Sequence, residues 1–203
     1  MTFLGALPPD LPAAIFIVLH VRPDIPSQLP AILNRAGQIP VAHAVDSEPI
    51  RRSRVYVAPP GMQTYVNGSR IGVRRGPHEN LHRPAIDPLF RTAAHHYGSR
   101  VVGIILSGAM GDGAAGLQAV KRGGGIAIVQ DPDDATFPSM PETAMAAIQP
   151  DFCVPVAQLA PIVLDLVGED ATADLRSEIA LETKEEAALP DEAKRSSVGA
   201  PRR

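Results

Sequence analysis

The chain has 203 residues, 45% of them apolar and 20% charged, with a formal net charge of −3. That length suits one α/β domain, the composition is that of a folded rather than a disordered protein, and mild acidity argues against a nucleic-acid binder. No run approaches the ~18 apolar residues of a membrane span, and no basic segment, apolar core and cleavage site open the chain, so a cytoplasmic location without membrane insertion is expected.

In chain order, the first apolar run, Ala13–Leu19, reads as a buried strand, and Ser27–Ala36 then carries Leu29, Ile32 and Leu33 at helical spacing. Val55–Ala58 is a second strand. Thr64–Val66 and Arg70–Val73 flank Asn67-Gly68, a hairpin-turn signal. Asp87-Pro88 reads as a capping carboxylate before a first-turn proline, opening a helix that runs to about His96 and stops at Gly98.

Val101–Leu106 is the next strand, followed by a helix over Gly113–Arg122 that closes on Gly123-Gly124-Gly125. Ile126–Val129 and Phe152–Val154 are further strands, with helices over Pro141–Ile148 and Ala157–Val167. The alternation predicts a doubly wound α/β fold, with a mainly parallel sheet, helices on both faces and an inserted β-hairpin. The domain is placed at residues 1–167; from 168 to 203 the composition turns to Glu, Asp, Ala, Lys and Arg, which predicts a charged C-terminal tail, partly helical or disordered. Cys153, alone in the chain and within an apolar run, reads as a small core residue in a reducing compartment.

Several residues are candidates for chemistry. His20 ends the first strand, where open α/β sheets bind ligands, so it is either a base or a strand-end histidine bonded to a loop. Asp112 lies where the glycine-rich turn Ser107-Gly108-Ala109-Met110-Gly111 meets a helix, so it is either an imidazole-orienting carboxylate or a helix cap. The loop from Arg75 to Asp87 concentrates polar groups. Its His78, Glu79 and His82 lack a full metal-ligand pattern, and Pro77 and Pro84 keep them off one helix face, so no metal is expected. The Asp131-Pro132-Asp133-Asp134 segment reads as an acidic turn. His95-His96 reads as a helix-end surface pair, and His43 has no supporting neighbours.

Taken together, Leu19-His20, Tyr56-Val57-Ala58-Pro59, the segment His82-Arg83-Pro84-Ala85-Ile86-Asp87-Pro88-Leu89-Phe90, the segment from Leu106 to Ala114, Val129-Gln130-Asp131 and Met140-Pro141 resemble the CheB family of chemotaxis protein-glutamate methylesterases. The resemblance spans about residues 1–167. It implies a hydrolase of chemotaxis or chemosensory signalling that converts glutamyl methyl esters on methyl-accepting chemotaxis receptors to glutamate and methanol. Many members also deamidate receptor glutamines. The chemistry implied is Ser-His-Asp acyl transfer, with no cofactor. On this resemblance His20 is the general base, Asp112 fixes its tautomer and stabilises imidazolium, and backbone amides hold the oxyanion. His82, Arg83 and Met140 fall in loops that position substrate.

One departure accompanies the resemblance. The family's nucleophile lies in a Gly-x-Ser-x-Gly-Gly turn after the first strand, ahead of the segment that matches Phe3–Pro8. None of the ten serines here stands two residues after a glycine, and Ser107 belongs to the aspartate motif. A chain beginning after the nucleophile is therefore expected, through a start codon assigned downstream or through true loss. A catalytically inactive receptor-binding or scaffold protein is the alternative function. The family's receiver domain is likewise expected to be absent, leaving regulation to a separate receiver or sensor kinase, or to the tail. Loss of the first strand is expected to expose a sheet edge.

Overall fold

The computed structural model describes residues 2–23 and 25–168, so the tail expected beyond residue 168 lies outside the described residues. Its elements are α1 (Thr2–Gly5), β1 (Ala14–Ile17), α2 (Leu29–Asn34), β2 (Val41–His43), β3 (Arg54–Val57), β4 (Gln63–Asn67), β5 (Arg70–Arg74), α3 (Ile86–Tyr97), β6 (Val102–Ile105), α4 (Ala114–Arg122), β7 (Ile126–Gln130), α5 (Ser139–Ala147) and β8 (Phe152–Val154). Residues 159–168 form a further helix, α6. No helix among the described residues is long and apolar enough to cross a membrane.

The parallel strands form two three-stranded sheets, ordered β1-β3-β2 and β6-β7-β8, and β4 pairs with β5 as an antiparallel hairpin. Parallel pairing runs in register from Ala14 opposite Arg54 and from Val102 opposite Ile126. β1 and β6 are therefore each an edge strand. The fold is the expected mixed α/β arrangement, but the strands divide into two blocks because β1 and β6 do not pair with each other.

Alternation along each strand covers both faces of each sheet. On the first sheet Ile15, Ile17, Val55 and Val57 pack with Leu4, Leu33 and Ala160 of α1, α2 and α6. Ala14, Phe16 and Tyr56 face Ile71 of the hairpin. On the second, Ile105, Ala127 and Val129 meet Ile86, Leu117 and Met140 of α3, α4 and α5, while Ile128 meets Leu159 and Val163 of α6. Helix α6 thus packs under both sheets, through Ala160 and Leu164 to one and Leu159 and Val163 to the other. Fully buried side chains such as Leu117, Ile128 and Leu159 each contribute about 1.5–3 kcal/mol of transfer free energy.

Four local expectations change. Strand β2 was not expected, since three residues give too little periodicity. The two loop residues of the hairpin are Gly68 and Ser69, because Asn67 pairs with Arg70, and Gly68 takes φ 58° at the first loop position. Asp87 does not cap α3: Ala85 is the cap residue, and the Asp87 carboxylate instead accepts the Gly116 amide of α4 at 2.6 Å. Cys153 is exposed rather than in the core, since β8 is an edge strand and Cys153 points outward beside Met145.

Candidate active site

His20 follows β1 and Asp112 follows β6, so the two residues join the carboxyl ends of two edge strands. Nε2 of His20 lies 2.7 Å from Oδ2 of Asp112, across 92 positions of sequence. The Asp112 side chain has no solvent exposure. An isolated buried carboxylate would be costly, so its other partners matter.

Those partners come from the loop before α3 and from the first turn of α3. The Ile86 amide donates to Oδ2 at 2.7 Å, the Asp87 amide to Oδ1 at 3.3 Å, and Asn80 Nδ2 to Oδ1 at 2.9 Å. Asp112 therefore acts as a cap after all, but for α3 rather than for the helix it precedes. Burial works to raise its pKa, and the His20, Ile86, Asn80 and Asp87 donors outweigh burial and hold the carboxyl below its ordinary value.

An ionised carboxylate only accepts, so the His20 tautomer is assigned with the hydrogen on Nε2. Nδ1 then carries the free lone pair, and among the described residues it has no hydrogen-bond partner. In this geometry Nδ1 is the atom able to take a proton from a nucleophile or return it to a leaving group.

His82 stacks on His20, with ring centroids 3.6 Å apart and planes 6° from parallel. Burial, then the His20 charge, push the His82 pKa down, against the opposing pull of Asp112. The turn from Glu79 to His82 delivers both His82 and Asn80. Its ends exchange backbone hydrogen bonds of 3.1 and 2.8 Å, and its central residues Asn80 and Leu81 take φ 49° and 68°. Positive φ at two adjacent non-glycine residues costs about 1–3 kcal/mol each and persists only where surroundings enforce it. Here Asn80 is held by both Asp87, at 2.8 Å, and Asp112.

The candidate residues are thus divided. His20, Asp112 and His82 come together. Arg83 donates from Nη1 to the Gly76 carbonyl at 2.9 Å. Met140 is buried in the cluster with Ile86 and Leu117 and lies under Gly108, where it supports the Asp112 turn from below. Asn80 has a role that sequence reasoning missed, since a polar residue in a polar loop carries no distinguishing signal.

The remaining candidates have structural occupations. Glu79 pairs with Arg91 at 2.6 Å, His43 Nδ1 lies 3.3 Å from the Val57 carbonyl oxygen, and Asp134 accepts from Gln130 and the Val156 amide. Among the described residues no three His, Cys, Asp or Glu side chains converge as metal ligands would. The serines of the loops beside Asp112 are also engaged: Ser107 Oγ accepts the Phe137 amide and Ser139 Oγ accepts the Met110 amide. Among the described residues no serine hydroxyl hydrogen-bonds His20. Leu19, Leu81, Met110 and Phe137 are exposed apolar residues on the loops that carry the site.

A parallel α/β scaffold whose strand-end loops hold an imidazole against a buried, multiply bonded carboxylate defines a class: α/β proteins with a His–Asp pair at the carboxyl ends of their strands. The chain belongs to the CheB methylesterase family, whose model matches residues 1–163. It is 34% identical over 166 residues to a Leptospira interrogans protein with the provisional name protein-glutamate methylesterase/protein-glutamine glutaminase, covering 81% of this chain and 86% of that one. It is 37% identical over 165 residues to a Rhodospirillum rubrum protein-glutamate methylesterase/protein-glutamine glutaminase, covering 79% of this chain but 45% of the relative's length. The Thermotoga maritima CheB methylesterase catalytic domain is a structural neighbour with TM-score 0.76 and 26% identity, over 81% of this chain and 89% of that domain. The relatives' names describe carboxylic ester hydrolases.

Proposed function

We propose that this chain carries the His–Asp half of a protein-glutamate methylesterase site that acts on methyl-accepting chemoreceptors in the cytoplasm. Glutamine deamidation is the same acyl-transfer chemistry with ammonia as leaving group. The observation that carries the reading is the 2.7 Å contact of His20 with the buried Asp112 at the strand carboxyl ends. A serine supplied from outside these 203 residues would lose its proton to His20 as it attacks the ester carbonyl. The imidazolium, stabilised by Asp112, would then return that proton to methanol, and water would release the glutamate in a second, equivalent round.

The loop residues have supporting roles in this reading. His82 and Arg83 lie in the segment that frames the site, and Met140 holds the turn that ends in Asp112. The exposed Leu19, Leu81, Met110 and Phe137 suit contact with the polypeptide that bears the ester. Control would come from a separate receiver or sensor kinase.

Methanol release from methylated receptor, assayed with the 203-residue chain and with an N-terminally extended form bearing a Gly-x-Ser-x-Gly-Gly turn, tests the proposal. Release by the extended form alone is expected. No release from either sinks the esterase reading.

One observation favours a second reading for the chain as it stands. The exposed apolar Leu19, Leu81, Met110 and Phe137 around the site would equally serve a catalytically silent receptor-binding or scaffold protein. A pull-down with receptor that recovers no complex counts against it.

A further inference from the structure

We propose that His82 is a positioning residue for His20, holding the plane of the base from one face while Asp112 holds one edge. The inference rests on the esterase reading above, and extends it to a residue that the resemblance associates only with substrate.

Asp112 grips His20 at a single atom, Nε2, which leaves the ring free to swing about that contact. The parallel His82 ring, centroid to centroid at 3.6 Å, closes that freedom. The Glu79–His82 turn in turn fixes His82: its paired backbone bonds, its two left-handed residues and the Asn80 amide on Asp112 tie both contacts on His20, the stacked face and the Asp112 edge, to one short loop. His82 Nε2 is buried and has no hydrogen-bond partner, so the ring is held by its face and not by a polar contact at that atom.

Stacking also sets a charge rule. When His20 takes the nucleophile's proton it becomes a cation, and a neutral aromatic face tolerates a cation that a second imidazolium would repel. The charged and titratable groups around His82 are His20 and Asp112; Glu79 is paired with Arg91, Arg83 is turned to the Gly76 carbonyl, and Asp87 is committed to Asn80 and Gly116. Burial and the His20 charge both disfavour the charged form of His82.

The test uses the serine-bearing extended protein. His82→Ala is expected to lower kcat roughly tenfold with KM changed less than about twofold, the signature of lost orientation rather than lost substrate binding. His82→Phe, which restores an aromatic face without a titrating nitrogen, should recover kcat above the His82→Ala level. A rise in KM with kcat unchanged in His82→Ala, or no recovery of kcat by phenylalanine, overturns the proposal.

A measurement on the 203-residue chain separates this outcome from failure of the esterase reading. Imidazole NMR should find His82 titrating below an ordinary histidine, and His20→Phe should shift that midpoint upward. An unmoved His82 midpoint overturns the stacking proposal whether or not methanol is ever released.

Discussion

Asp87 and Asp112 share one amide: Asn80 Nδ2 donates to the first at 2.8 Å and to the second at 2.9 Å. Both carboxylates are buried, and they lie on different elements, one in the first turn of α3 and one before α4. Asp87 in turn accepts the Gly116 amide of α4, while Asp112 accepts the Ile86 amide of α3. The two helix starts thus exchange acceptors, with Asn80 as the shared donor.

Asn80→Ala should therefore leave two buried carboxylates each one donor short. A loss of about 1–3 kcal/mol in unfolding free energy is expected from the unsatisfied groups, read as a lower urea midpoint with unchanged slope. Asn80→Asp should be worse, since it replaces the shared donor with a third acceptor. An Asn80→Ala midpoint equal to the wild type would mean that water takes over the amide's contacts.

The residues that resisted reading from sequence are those whose local signal serves two structures equally well. Asp87 before Pro88 has the spacing of a helix cap, yet its carboxylate reaches a different helix because α4 passes close enough at Gly116 to donate. Cys153 sits in an apolar triplet, but a three-residue edge strand does not reveal which side faces the core. The longer strands and α3 to α5 were legible, because their apolar spacing is set by burial on particular faces. The pairing of His20 with Asp112 was legible only through resemblance: 92 intervening residues leave no periodic trace. Asn80 had neither kind of signal.

Acid should act on stability in two windows. His82 has a folded-state pKa below its ordinary value through burial and the His20 charge, and Asp112 has one below its ordinary value through its four donors, which outweigh burial. In each case the unfolded chain takes up the proton first as pH falls, so the stabilisation is complete above the unfolded pKa and is lost below it. The urea midpoint should decline first below about pH 6.5, from His82, and again below about pH 4, from Asp112. His82→Phe should remove the first decline while leaving the second. A wild-type midpoint that stays flat from pH 7 to 5 would contradict the His82 contribution.

At Gly116, α4 lies directly against α3. A Cβ added there would lie 2.7 Å from Phe90 Cβ and 3.0 Å from Asp87 Cα, neither of which is the end of a flexible chain. Gly116→Ala should force the helices apart, weaken the amide bond to Asp87 and destabilise by about 1–3 kcal/mol, despite alanine's better helix propensity. Gly124→Ala is a useful contrast. Its φ of 83° strains any side chain, but the nearest atom to an added Cβ is 3.7 Å away, so its cost should come from the backbone alone. Disturbed Asp112 chemistry should follow the first substitution and not the second, visible as altered His20 imidazole resonances.

The hydrogen on His20 determines which atom can do chemistry. With Nε2 directed at Asp112 and Nδ1 without a partner among the described residues, nitrogen-15 spectra of the neutral ring should report a protonated Nε2 and a bare Nδ1. Asp112→Asn should disturb that preference, because an amide can present either a donor or an acceptor to the ring. In the serine-bearing form the same substitution should cost about 10⁴ in kcat, the scale of losing the correct tautomer in a Ser-His-Asp site. It should leave receptor binding nearly unchanged, since Asp112 is wholly buried and cannot touch the substrate. The opposite labelling pattern, with the hydrogen on Nδ1, would require the imidazole to turn before it could be both held by Asp112 and open to a nucleophile.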